Sequence, residues 1–73
     1  MLLIFNNVHE TLSAEKVLKE KDIVHKVVPV PPHVNEGCGL GIRIDAKIKQ
    51  SVLEAFNQKQ ISVEQWIEEE RPN

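Results

Sequence analysis

Chemistry in this chain has one obvious handle, a single cysteine, Cys38, held between Gly37 and Gly39. A cysteine reacts as its thiolate, which is favoured where backbone amides or positive charge converge and the sulfur is reachable. Glycines on both sides permit backbone conformations closed to other residues, so successive amides can form an anion-binding nest around the sulfur. Neither neighbour has a side chain to block an approaching partner. A negative Glu36 close by would work against the thiolate, whereas His33 or Arg43 within reach would favour it, so the balance depends on loop geometry. The opposing reading is structural, because a free cysteine is among the most buried residue types and often packs as a small hydrophobe.

Other chemistries need residues that are absent. A closed zinc site takes four ligands, and His9, His25 and His33 are scattered without a paired motif, so neither a metal nor another cofactor is expected. His9 falls in the first turn of a helix and His25 in a strand, places suited to surface or packing roles. A Cys-His hydrolase needs a base oriented by a third group and a substrate cleft, which so short a chain can scarcely build. A peroxidase-type thiol commonly wants a resolving cysteine. Independent enzymatic turnover is therefore not expected. Trp66 and Phe56 read as core or dimer-interface residues rather than ligand-stacking ones.

The elements that must position Cys38 follow from pattern. A chain of 73 residues holds one core, so residues 1–73 read as a single domain. Such a domain buries only about 60% of its unfolded surface, and a homodimer is one way to cover more. A hydrophobic fraction of 41% with 27% charged residues is that of a folded protein. Nine Lys plus Arg against 11 Asp plus Glu give a formal charge of -2 with no basic block, which argues against nucleic acid as a partner. The apolar start, Met1 to Phe5, is too short for a signal-peptide core or a spanning helix, so no membrane partner is expected. With one cysteine in so small a domain, a cytoplasmic location is expected.

Leu2 to Phe5 reads as a first strand, and Asn7 caps a helix with Glu10 completing a capping-box-like pair. The apolar face of that helix is Val8, Thr11, Leu12, Ala14 and Leu18, with Val17 at its margin. Ile23 to Val30 is β-branched and forms a second strand, Pro29 marking an edge or an exit. Pro31 to Gly39 is the main loop. Leu40, Ile42 and Ile44 alternate with Gly41, Arg43 and Asp45 as a third strand. Asp45 caps a second helix with a stripe of Ile48, Val52, Ala55 and Phe56, Leu53 at its edge, ending near Asn57 or Gln58. The last segment is ambiguous. Ile61 and Val63 start a strand, but Ser62 with Gln65 forms a capping box and Val63, Trp66 and Ile67 have helical spacing. Glu68-Glu69-Glu70 reads as a solvated acidic end. If the end is a strand, the order βαββαβ predicts an α+β fold, a ferredoxin-like two-layer sandwich. RNA-recognition motifs share that order but stack bases on central-strand aromatics, of which only Phe5 is present.

The strand-helix-strand order, the helix segment Ala14-Glu15-Lys16-Val17-Leu18-Lys19-Glu20, Pro29-Val30-Pro31, and Cys38-Gly39-Leu40 opening a strand together resemble the selenium/sulfur carrier protein-like family of small bacterial domains of unknown function. The resemblance spans nearly the whole chain. It implies that Cys38 accepts sulfur or selenium as a persulfide or selenosulfide and passes it on. A donor such as a cysteine desulfurase would load it, and an acceptor protein would receive it. Gly39 would open the approach, Pro29 and Pro31 would shape the loop, and Gly37 would complete the flanking pair. In the carriers of the tRNA thiolation relay a Cys-Pro pair opens a helix, whereas here Gly39 and a strand follow the cysteine. The alternative is a non-catalytic interaction or regulatory module in which Cys38 is incidental.

Overall fold

Leu2, Leu3 and Ile4 pair on both sides and form β1 (Leu2–Ile4). The rest of the chain is arranged around this strand in a computed structural model that describes residues 1–31 and 39–68. The elements are β1, α1 (Val8–Glu20), β2 (Lys26–Pro29), β3 (Leu40–Arg43), a 3-10 turn (Ala46–Ile48), α2 (Lys49–Gln58) and β4 (Gln65–Ile67). The fold is α+β. Its four strands stand in the order β2-β3-β1-β4, and every neighbouring pair is antiparallel.

One row crosses the whole sheet, Val27 opposite Ile42, Ile42 opposite Leu3, and Leu3 opposite Trp66. Strand residues alternate faces, so this row points to one side and the row of Val28, Gly41 and Ile4 to the other. Leu3, Phe5, Ile42 and Ile44 join Ala14, Val17 and Leu18 of α1 and Val52, Ala55 and Phe56 of α2 in the core. Phe5 and Phe56 meet edge to face, ring centroids 6.0 Å apart at 75°. Full burial of each large side chain is worth about 1.5–3 kcal/mol. Ile4, Val28 and Val30 are buried as well, so apolar side chains are also covered on the opposite face of the sheet.

Asn7 is extended (φ -156°, ψ 172°), and its side chain accepts the Glu10 N–H at 2.8 Å, the expected cap of α1. The Asn7 half of the capping box forms, while Glu10 Oε2 is buried without a hydrogen-bond partner. The buried face of α1 is also turned from the expected one. Thr11, Ala14, Val17 and Leu18 face the core, while Val8 and Leu12 are 41% and 49% exposed. Thr11 tolerates complete burial because its hydroxyl donates to the Asn7 carbonyl at 3.0 Å.

The second strand is shorter than the expected Ile23–Val30. Asp22, at φ 56°, donates its N–H to the Lys19 carbonyl, and Ile23 donates to Leu18 at 2.9 Å. This is a Schellman closure, which takes Ile23 for the helix end and delays the strand to Lys26. His25 accordingly precedes β2 rather than lying in it. Its Nδ1–H donates to the Ile23 carbonyl at 2.7 Å, and Nε2 stands 3.5 Å from Glu15 Oε2.

Asp45 caps as expected, accepting the Lys47 N–H at 2.9 Å, but the first turn it caps is 3-10 and α2 proper starts at Lys49. Val52, Ala55 and Phe56 form the buried stripe, with Ile48 packed against the core from the turn. A second Schellman closure ends α2: Gln60, at φ 58°, donates to Asn57 at 3.3 Å and Ile61 to Phe56 at 2.9 Å. The ambiguous last segment is a strand, beginning at Gln65 rather than Ile61. Ile61 and Val63 pack against the core on the approach to it.

Candidate functional site

The described residues bring the site's frame into view up to the residue that follows Cys38. Pro29, the last residue of β2, pairs with Leu40, the first of β3. Proline has no N–H for a ladder, and β2 stands at the sheet edge, where a strand on one side only is needed. One step further the Val30 N–H donates to the Gly39 carbonyl at 3.0 Å. Pro31 is exposed just beyond it. Gly37, Cys38 and His33, with Glu36, lie outside the described residues.

Gly39 adopts φ +74°, and a Cβ placed on it would meet nothing within 4 Å. Glycine is therefore required there by the backbone and not by crowding. The Cβ direction of the residue bonded to Cys38 is thus open among the described residues. Arg43 is exposed at the other end of β3, opposite Lys26 and Leu2. A rise of about 3.3 Å per residue separates its Cα from Gly39 by roughly 13 Å. The strand thus does not bring Arg43 to the end of the sheet that Gly39 occupies.

That end also carries other segments. Ile4 ends β1 there, the chain then runs through Asn7 into α1, and Glu64 donates to the Ile4 carbonyl at 2.8 Å on the way into β4. Val8 and Leu12 leave apolar surface on α1 that sequence periodicity assigns to the core. A second feature also escapes linear reading, a cavity of about 210 Å³ lined by Glu10, Ser13, Gln60, Ile61 and Ser62. Its signal was divided between two distant segments. The Lys-x-Ile ending shared by Lys21-Asp22-Ile23 and Lys59-Gln60-Ile61 could have located both helix ends. Among the described residues no group of three or more His, Cys, Asp or Glu could hold a metal ion. None of their helices is long and apolar enough to cross a membrane.

The geometry defines a small α+β domain with its cysteine in the connection between an edge strand and a central strand. Residues 1–68 match the family described as "Putative Se/S carrier protein-like", and the chain belongs to that family. It is similar to "Uncharacterized protein MJ0011" of Methanocaldococcus jannaschii, 43% identical over 44 residues, which cover 60% of this chain and 22% of that protein. The match thus spans about a fifth of the relative's length. No solved structure matches the chain.

Proposed function

We propose that this protein carries sulfur or selenium on Cys38, within a ferredoxin-like sandwich whose β2–β3 connection presents the thiol. The observation that supports it is Gly39, left-handed, open where a Cβ would stand and tied by its carbonyl to Val30, in a family named for carriers. In the loading step the Cys38 thiolate attacks the outer sulfur of a donor persulfide. The donor's S–S bond breaks as the new one forms, the donor leaves as its thiolate, and no external oxidant or reductant is consumed. An acceptor nucleophile then attacks the carried sulfur and releases the Cys38 thiolate. A cysteine desulfurase is the donor class this chemistry calls for, a second protein is the acceptor, and the setting is cytoplasmic. Gly37, Pro29 and Pro31 shape the loop, and His33 is the nearby candidate for favouring the thiolate.

Intact-protein mass spectrometry after incubation with a desulfurase and free cysteine tests this reading. Gain of a sulfur atom that is lost in Cys38→Ser is expected. No gain, or a gain that survives the substitution, overturns it. The exposed Val8 and Leu12 favour a second reading, an interaction or regulatory module with an incidental cysteine, which docks or dimerises through apolar surface or a sheet edge. It predicts slow alkylation of Cys38, with none of the rate enhancement that a stabilised thiolate gives below neutral pH.

A further inference from the structure

Glu10 stands in the first turn of α1, where a carboxylate is favoured by the helix dipole. The dipole accounts for the charge but not for its placement, since an exposed glutamate would serve equally. Here Oε2 is buried and accepts no hydrogen bond. Buried polar atoms are rarely left in that state, and a carboxylate is among the costliest to leave so. The same side chain lines the cavity of about 210 Å³ between α1 and the connection from α2 to β4, with Ser13, Gln60, Ile61 and Ser62.

The rest of the lining is selective. Two hydroxyls and a carboxamide offer further acceptors, one isoleucine gives an apolar patch, and among the described residues no cationic side chain contributes. Gln60 holds φ 58° at the C-terminal closure of α2, a position where glycine ends a helix without strain. Asp22 fills the matching place after α1 with a short side chain of a type enriched in this region, whereas glutamine is less common there. A side chain is thus kept on the cavity wall against a backbone preference for none.

We infer that this cavity binds the ammonium group of a small primary amine, with the Glu10 carboxyl as its counter-ion and Ser13, Gln60 and Ser62 as further acceptors. An ammonium has three N–H donors and no acceptor, which complements a wall of one carboxylate and neutral oxygens. The volume of about 210 Å³ has room for a small amine, since one water takes about 30 Å³ of liquid. A divalent cation is poorly matched, because calcium takes six to eight oxygen ligands and commonly several carboxylates. The inference is independent of the carrier reading, as none of these residues belongs to the loop that holds Cys38.

Amide NMR spectra of the full chain, titrated separately with propylammonium, propanol and propionate, test it. Saturable shifts at Ser13 and at Gln60 to Ser62 are expected with propylammonium, with binding about tenfold or more weaker for the other two probes, the size of a lost charge-assisted hydrogen bond. Glu10→Gln, nearly isosteric, should weaken propylammonium binding by a similar factor. Gln60→Gly should weaken it a fewfold while raising the unfolding midpoint, a combination that a purely structural residue would not give. No saturable shift with any probe means a cavity that holds water only, and overturns the inference. Equal binding of all three probes, or unchanged affinity in Glu10→Gln, also overturns it. The three-probe comparison on the unmodified protein decides the matter even if a variant fails to fold.

Discussion

The Val30 N–H donates to the Gly39 carbonyl at 3.0 Å, so the residue just after Cys38 is tied to the strand that precedes the loop. A main-chain hydrogen bond thus links the two ends of the 30–39 connection. Whatever the loop does between them, its C-terminal base is fixed by a left-handed glycine.

Gly39→Ala should therefore cost stability through the backbone, with no clash. An L-residue in the left-handed region is disfavoured by about 1–2 kcal/mol, and the new methyl would touch nothing within 4 Å. Urea unfolding followed by the fluorescence of Trp66, the single tryptophan, should show a lower midpoint with an unchanged slope. A midpoint equal to that of the parent protein would contradict the conformational argument.

Gly41 is confined by neighbours instead of by its dihedral angles. A Cβ there would come within 2.8 Å of Val30 Cγ2, 3.0 Å of Leu2 Cδ1 and 3.1 Å of the Leu3 carbonyl oxygen. The two side chains can give way, but the carbonyl belongs to a strand paired on both sides. Overpacking of this kind costs about 1–3 kcal/mol, so Gly41→Ala should destabilise more than Gly39→Ala in the same urea series. The reverse ranking would count against this account of the sheet.

The two helix closures predict gains. Gln60→Gly and Asp22→Gly each remove a side chain from a left-handed position. Gln60→Gly should stabilise by about 1 kcal/mol and Asp22→Gly by less, because aspartate tolerates the region better. Thermal unfolding by circular dichroism checks both signs, and a loss of stability in Gln60→Gly would show that its side chain holds the fold.

At the other end of α1, Asn7→Ala removes the acceptor of the Glu10 N–H and should cost about 1 kcal/mol. Asn7→Asp keeps the acceptor and should restore most of that loss. Equal destabilisation by both substitutions, measured by urea unfolding, would mean that the cap bond is not the source.

Sequence pattern was a good guide wherever the deciding chemistry was local. Asn7 and Asp45 cap what their side chains and spacing indicate, and Val52, Ala55 and Phe56 form the expected stripe. It failed where tertiary packing chose between near-equal options. Val17 and Leu12 are both apolar on one helix, and only the sheet beneath α1 decides that Val17 is covered and Leu12 is not. Ile23 looks like a strand residue because it is β-branched, yet its N–H is committed to Leu18. The last segment satisfied strand and helix patterns alike until pairing with β1 settled it. The glycines around Cys38 were visible as a motif, although only the structure shows that Gly39 needs its freedom for φ. Glu10 and Gln60 share a cavity wall that their distance in sequence conceals.

The strand order also carries a kinetic consequence. Val27 and Ile42 pair across a connection of modest length, whereas Leu3 meets Ile42 and Trp66 only after most of the chain has been brought round. Closing long loops forfeits more chain entropy before any contact compensates, and contacts distant in sequence slow folding. The β2–β3 pairing thus closes the shortest loop of the three, and the pairings of β1, central in the finished sheet, forfeit more chain entropy. The segment that bears Cys38 would be bounded by paired strands before the sheet that supports it has closed.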